Sequence, residues 1–382
     1  MRIAYVCTDP GVPTFGTKGA SNHVQAMLRA LLELDHDVVL LARRLGGDPP
    51  PELERVEVIE LGKSPSGKRD GAAREAWLLE ANTTLDAALA QCESLDLVYE
   101  RHALFSHAAM EHAAARGIPG LLEVNAPLVE EQEKHRSLSN RAAAEESALR
   151  AWNAATAVLA VSSPLASWLQ EQVEHPERVH VVPNGVDLGR FGSCATGPPA
   201  PKPFTAGFVG SLRPWHGLDT LAEAFALLRR DWPEARLRIV GDGPGREALE
   251  QQLAELGALE ATEFSGAIRQ EEVPAVLAGL DAALAPYPAL DDFYFSPLKL
   301  YEYMAAGCPV IASSIGQVAD VVDHEVDGIL VPPGDARATA DWLLKLARSP
   351  ELRKRLGTAA RAKMAGRDWV DVARRVLGLA HP

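Results

Sequence analysis

The sequence predicts an α/β protein made of two doubly wound, Rossmann-like domains facing each other across a cleft. Short runs rich in Val, Ile and Leu alternate with longer stretches of helical period, the pattern of βαβ units around a parallel sheet. The pattern occurs in both halves of the chain, with a Gly/Pro-rich stretch between them. The length of 382 residues, at about 150 per domain, is enough for two or three domains that each bury a core.

In the first half the apolar runs at residues 3–7, 38–42, 56–61, 97–100, 120–124, 158–161 and 179–182 read as strands. After the first of them Val24, Met27, Leu28, Leu31 and Leu32 fall at i, i+3, i+4, i+7 and i+8. That is one apolar stripe of a helix facing a sheet, and Ser21 is placed to cap it. Residues 46–71 carry Pro49-Pro50-Pro51 and the basic Lys63, Lys68 and Arg69, and read as a loop at a cleft mouth or on the surface. The Gly- and Pro-rich residues 189–203 support neither helix nor central strand and are expected to link the domains. The expected organisation is an N-terminal domain over 1–188, this linker, and a C-terminal domain over 204–365. Strands in the latter are expected at residues 205–209, 237–240, 262–265, 282–285, 310–312 and 329–331. An amphipathic helix over 369–379 falls in the remaining segment, 366–382. Two such sheets would each bring the carboxyl ends of their strands to a crevice, the usual ligand position.

Apolar residues make up 47% of the chain and charged residues 24%, the balance of an ordinary globular protein. With 38 basic against 52 acidic residues the net charge is −14, which repels polyphosphate backbones, so nucleic acid is not an expected partner. Cys7, Cys92, Cys194 and Cys308 show no CxxC spacing, which fits neither a zinc site nor a disulfide framework and suggests a reducing cytoplasm. The chain enters a strand from its first residues, where a signal peptide would need a longer apolar run. No stretch reaches the roughly 18 apolar residues of a membrane span. Membrane contact is therefore expected to be peripheral at most.

Three motifs suggest ligand chemistry. Gly16-Thr17-Lys18-Gly19-Ala20-Ser21 joins the first strand to the first helix; its amides could hold an anion, or the glycines could simply make a tight turn. Phe208-Val209-Gly210-Ser211-Leu212-Arg213-Pro214-Trp215-His216-Gly217 ends a strand and opens a helix. There Arg213 could grip phosphate oxygens with its planar fork and His216 could donate one hydrogen bond. Ser296-Pro297-Leu298-Lys299-Leu300-Tyr301-Glu302 opens another helix, which Gly307 closes. Lys299 and Glu302, three apart, share a face; they form either a surface ion pair or a site for a diphosphate and ribose hydroxyls. Val98 to Phe105 and Leu121 to Leu128 read as strand ends running into cleft-lining loops. His102, His107 and His112 lack convergent acids, so no metal ligand is assigned.

Together with Val182-Pro183-Asn184-Gly185-Val186-Asp187, Ile239-Val240-Gly241-Asp242-Gly243-Pro244, Phe264-Ser265-Gly266 and residues 327–335, these motifs resemble the retaining family-four glycosyltransferases of the two-domain GT-B type. The resemblance covers almost the whole chain. It implies a nucleotide-diphosphate sugar donor held mainly by the second domain. The acceptor, a small molecule, glycan or lipid-linked sugar, would be held mainly by the first, with the C-terminal helix crossing back to that domain. Glu302 matches the glutamate that binds the ribose, and Ile268 the position whose backbone meets the nucleobase. The family's diphosphate-binding arginine and lysine positions are Ser211 and His216 here, with Arg213 as a substitute two residues on. The family's first motif glutamate is replaced by Tyr294, with Asp291 and Asp292 nearby to take over. Lys299 would face the diphosphate, and Asn125 aligns with a histidine placed beside the sugar.

The assignment that follows gives Arg213, Lys299 and Asn125 to catalysis. Gly16, Gly19, Ser211, His216, Ile268, Ser296, Leu298 and Glu302 are given to donor binding, and no resident cofactor or metal is expected. No carboxylate pair suited to an inverting base or to glycoside hydrolysis is evident. Reaction on one face of the sugar, with cations and helix N-termini stabilising the departing diphosphate, suits the residues better. Two other readings stay open: a nucleotide-sugar epimerase or hydrolase on the same fold, and a non-catalytic nucleotide-sugar binding protein.

Overall fold

A computed structural model describes residues 1–62, 71–192, 203–290, 293–294 and 296–380. Lys63, Lys68, Arg69, Asp291, Asp292, Cys194 and most of the expected linker lie outside the described residues. The chain separates into two compact units. The first comprises residues 1–184, 294–296 and 369–382, the second residues 185–293 and 297–368.

The first unit holds a parallel sheet of β1 (Arg2–Cys7), β2 (Asp37–Ala42), β3 (Glu57–Glu60), β4 (Leu97–Arg101), β5 (Gly120–Val124), β6 (Ala157–Ala160) and β7 (Val179–Val181), in the order β3-β2-β1-β4-β5-β6-β7. The strands match the apolar runs because a parallel sheet covered on both faces buries every side chain it can. Ala4, Val6, Val39, Leu41, Val98 and Leu122 pack against Leu85, Ala109, Ala113 and Ala151 from the helices Gly71–Gln91, Ala108–Arg116 and Arg141–Ala154. The helix Gly19–Glu33 packs with the C-terminal helix Trp369–Gly378, so this segment belongs to the first unit.

One expectation needs correction here. Ser21 does not cap the first helix: the helix starts at Gly19 after Lys18, and Ser21 lies inside it, fully buried, with no hydrogen-bond partner for its hydroxyl among the described residues. Apolar periodicity marks the stripe but not the first turn, which begins at Gly19, two residues before Ser21. Residues 97–101 and 120–124 are strand, as expected, and Glu100 and Glu123 lie inside the sheet.

The second unit holds β8 (Thr205–Val209), β9 (Arg236–Val240), β10 (Thr262–Gly266), β11 (Ala282–Ala285), β12 (Val310–Ser313) and β13 (Ile329–Val331), in the order β10-β9-β8-β11-β12-β13. Its core is formed by Ala206, Phe208, Ile239 and Leu284 of the sheet against Leu221, Phe225, Leu249 and Leu343 of the helices. Both sheets reverse their strand order once, between β1 and β4 and between β8 and β11. At such switch points the loops leave in opposite directions and open a crevice beyond the strand ends. Each unit thus has one place where the fold itself favours a ligand.

Candidate active site

At the switch point of the second unit, β8 and β11 pair only through Ala206–Gly207 and Ala282–Ala283. Beyond that the strands part, and the backbone of Val209 turns to a side chain. The Tyr303 hydroxyl donates to the Val209 carbonyl (2.9 Å) and accepts from its N–H (2.8 Å). Tyr303 lies on the helix Leu298–Ala305, and Lys299 stands one turn before it on the same face.

The Lys299 ammonium is buried at this point and has no hydrogen-bond partner among the described residues. It lies 4.4 Å from the ring centre of Phe208 at the end of β8 and 5.4 Å from that of Tyr287 just after β11. A Cβ on Gly210 would stand 3.3 Å from its nitrogen, so Lys299 reaches the first backbone turn after β8. Burial pushes its pKa down to about 7, against the opposing charge of Glu302. Aromatic faces offset only part of the desolvation of an ammonium, so this is a cation short of an anion.

The surrounding turn is kept narrow by glycine. A Cβ on Gly241, which has φ 129°, would sit 1.9 Å from the Gly210 carbonyl, an approach no other residue allows. His216 is held by a hydrogen bond from Nδ1 to the Ser211 carbonyl (2.6 Å). A carbonyl can only accept, so the ring proton points inward. Burial, Lys299 and Arg213 push His216 down to about 3, with the Ser211 hydrogen bond opposing them. At neutral pH its other nitrogen therefore carries a lone pair and does not donate outward, contrary to the sequence-based expectation. Glu302 is raised by burial, with Arg190 and Lys299 opposing. Arg190 is itself held by the Gln270 side chain (2.7 Å) and the Gln270 carbonyl. Ser211 and Arg213 are exposed, and the Arg213 guanidinium lies 5.7 Å from the Trp215 ring centre. Ile268, two residues past β10, and Leu298 are half-buried.

In the first unit four donors converge on Glu123, which is nine-tenths buried at the end of β5. Oε2 receives His23 Nε2 (2.7 Å) and the Tyr99 hydroxyl, while Oε1 receives Arg101 Nη1 (2.7 Å) and Asn125 Nδ2 (2.5 Å). Burial alone would raise this carboxyl, but His23, Arg101 and Asn125 hold it well below the usual range. The bond to Glu123 commits the Asn125 amide nitrogen and leaves its oxygen to accept. Trp369 of the C-terminal helix closes on the His23 ring, with centroids 4.7 Å apart.

The remaining assigned residues are placed separately. The Gly16 N–H already donates to Pro13 (2.9 Å) and its carbonyl accepts from Gln25 (2.9 Å), so that amide is not available to an anion. Gly19 is exposed at the helix start. Ser296 belongs to the first unit, where its Oγ accepts from the Asn184 N–H (3.3 Å). Tyr294 also packs on the first unit's core, its hydroxyl bonded to Glu131 and its carbonyl to the Ser162 hydroxyl (2.7 Å). Sequence reasoning named Asn125 but missed Tyr303 and the other partners of Glu123, His23, Tyr99 and Arg101. The only local sign was the run of polar residues at the ends of β4 and β5.

Two family models match the chain in succession: Glycosyltransferase Family 4 over residues 17–190 and Glycosyl transferases group 1 over residues 196–363. The chain belongs to the family-four, group 1 glycosyltransferases. Among curated relatives, this glycosyltransferase is 26% identical to a glycogen synthase of Mycobacterium tuberculosis, over 98% of this chain and 92% of that one. It is 28% identical to a D-inositol 3-phosphate glycosyltransferase of Frankia alni, over 96% and 95%. Among solved structures, Anabaena HepE in complex with UDP aligns with a TM-score of 0.72 at 20% identity, covering 99% of both chains. Sucrose-phosphate synthase from Thermosynechococcus elongatus aligns at 0.75 and 21% identity, covering 99% of this chain and 98% of that one. At these identities the structures establish the GT-B fold for the glycosyltransferase. No helix among the described residues is long and apolar enough to cross a membrane.

Proposed function

We propose that this glycosyltransferase moves a sugar from a nucleoside diphosphate sugar to an acceptor hydroxyl with retention of anomeric configuration and without a catalytic metal. The observation that carries the reading is the buried, unpartnered Lys299 ammonium at the switch point of the second unit. A diphosphate supplies the anion this cation lacks, and the cation in turn stabilises the charge that develops on the leaving group. Glu302, on the same helix face, is the carboxylate for the ribose hydroxyls, and Arg213 adds an exposed second cation. Asn125 is proposed to meet the sugar through its free amide oxygen. Because the protein supplies the cations, no step requires a metal. The HepE structure, solved with UDP, makes uridine diphosphate the first nucleotide to try. Tyr294 replaces a family glutamate yet its hydroxyl is bonded to Glu131, which favours a changed set of sugar contacts.

A thermal-shift series with nucleoside diphosphates and their sugar conjugates tests the donor class. Ligand at about 100 times its dissociation constant adds about 2.7 kcal/mol to native stability, so one nucleotide should stand out. Glu302→Ala should weaken that shift, and the chelator EDTA should leave turnover unchanged. Proton NMR of the first product formed should show the donor's anomeric configuration. No shift with any nucleotide would overturn the donor reading; an inverted product would overturn retention alone.

A further inference from the structure

The Gly- and Pro-rich stretch between the domains begins as a one-turn helix, Leu188–Phe191, that carries Arg190. Contacts within the second unit fix this turn at both ends. The Asp187 carboxylate accepts from the Arg190 N–H (3.2 Å) and that of Asp368 from the Leu188 N–H (3.0 Å). Arg361 donates to the Phe191 and Gly192 carbonyls (3.0 and 3.2 Å), and Phe191 is buried. From this platform the Arg190 guanidinium reaches Gln270, 80 residues on. Nη1 donates to its side-chain oxygen (2.7 Å) and Nη2 to its carbonyl. A planar fork that takes both the amide and the backbone of one residue fixes that stretch of chain, which a point charge does not.

Gln270 lies in the loop between β10 and the helix Val273–Ala278, two residues after Ile268. That loop continues the row of turns around Lys299. The Gly266 carbonyl at the end of β10 accepts from the Gly241 N–H (2.8 Å), and Gly241 abuts the Gly210 carbonyl beside Lys299. The same guanidinium acts on Glu302. The helix Leu188–Phe191 packs on the helix Leu298–Ala305, and Arg190 and Lys299 are the cations that oppose the rise of the Glu302 pKa on burial. Other elements packed on that helix add none: β11 and β12 carry no ionisable side chain. On the helix Pro350–Lys363, Arg361 is turned to the carbonyls named above, and Arg353 and Lys363 to aspartates. Ionised, Glu302 accepts on both oxygens, whereas protonation turns one of them into a donor. One side chain thus stands between the ribose carboxylate and the loop after β10.

We infer that, given the donor reading above, Arg190 is a positioning residue for the nucleoside half of the donor: its fork holds the loop after β10 against the base through Gln270, and its charge supports the Glu302 carboxylate at the ribose. The two duties are separable, because Gln270 shares only the first and a lysine at position 190 keeps the second.

Titration calorimetry of the full chain with uridine, guanosine and adenosine diphosphates, and with the 2′-deoxy form of the tightest, tests this. Wild type should bind one ribonucleotide about tenfold tighter than the other two and than its deoxy form, the loss that follows an unmade buried hydrogen bond. Arg190→Met and Gln270→Leu should reduce the base ratio to about threefold or less, while Lys299→Met should weaken every diphosphate alike and keep that ratio. The ribose ratio of Arg190→Met should fade with falling pH sooner than that of wild type, since Glu302 then protonates at a higher pH. Arg190→Lys and Gln270→Leu should follow wild type in this. Each ratio compares ligands that share one diphosphate, so proton uptake at Lys299 cancels. A merely structural role would weaken all ligands equally and leave both ratios in place. Wild-type ratios in Arg190→Met at every pH would overturn the role of Arg190 and leave the donor reading standing. Should that variant fail to fold, a wild-type base ratio in Gln270→Leu does the same. No binding of any diphosphate by wild type would overturn the donor reading, and this role with it.

Discussion

Donor binding should take up a proton, and Lys299 should be where it goes. Holding this amine at about 7 in place of 10.5 disfavours its charged form by about 5 kcal/mol at 1.36 kcal/mol per pKa unit. A diphosphate beside Nζ reverses that preference. If the bound pKa returns near its ordinary value, binding takes up about 0.9 proton at pH 8, about 0.5 at pH 7 and about 0.1 at pH 6. Titration calorimetry in buffers of different ionisation enthalpy measures this number directly. The ligand should be a nucleoside diphosphate sugar, whose esterified pyrophosphate has no proton to exchange near neutrality. Affinity should fall about tenfold per pH unit above 7. Lys299→Met should bind weakly, with no uptake and a flat pH profile. The same linkage acts on folding: the lowered pKa means that the unfolded chain binds the extra proton between pH 7 and 10.5. The stability of the free wild type relative to Lys299→Met should therefore rise with pH across that window. His216, held at about 3, lies too far from the window to mimic this. Equal proton uptake by wild type and Lys299→Met at pH 8 would refute the argument.

Tyr303→Phe removes the hydroxyl that satisfies both polar groups of Val209. Its cost should be about 1–3 kcal/mol, with a raised KM for donor as the turn at Gly210 loosens, and with the pH dependence of donor binding retained. Glu123→Gln takes the charge from beneath His23, Arg101, Tyr99 and Asn125. Breaking a buried pair costs about 3–5 kcal/mol, or about 6–20 °C in the melting of a unit this size. Because the carboxyl is held low in the folded state, its contribution is present above the ordinary carboxylate pKa and fades as pH falls below it. The gap between variant and wild type in calorimetric scans should therefore narrow from pH 7 to pH 3.

The thirteen strands were legible as apolar runs, each placed to within about a residue at either end. The signal is local: a strand covered on both faces must be apolar at successive positions, and helices between strands must carry one apolar stripe. Gly210, Gly217 and Gly307 were legible for the same kind of reason, since each lies at a turn next to a strand or helix end. The Lys299–Glu302 pair could be read as neighbours on a helix, but not as a buried cation or as a surface ion pair. That choice rests on Phe208 and Tyr287, one of them 91 residues earlier, which meet Lys299 because β8 and β11 are adjacent in the sheet. Glu123 looked like one more polar residue at a strand end until His23, 100 residues away, was placed against it. That the Lys299 ammonium lacks a hydrogen-bond partner gave no sign at all, because a missing partner is visible only when everything around the nitrogen is known. Periodicity and turn chemistry are written within a few residues of chain and so survive in one dimension. Burial, charge pairing and the pKa shifts they cause are properties of neighbours in space, and these come together only when strand order brings distant segments to the same sheet end.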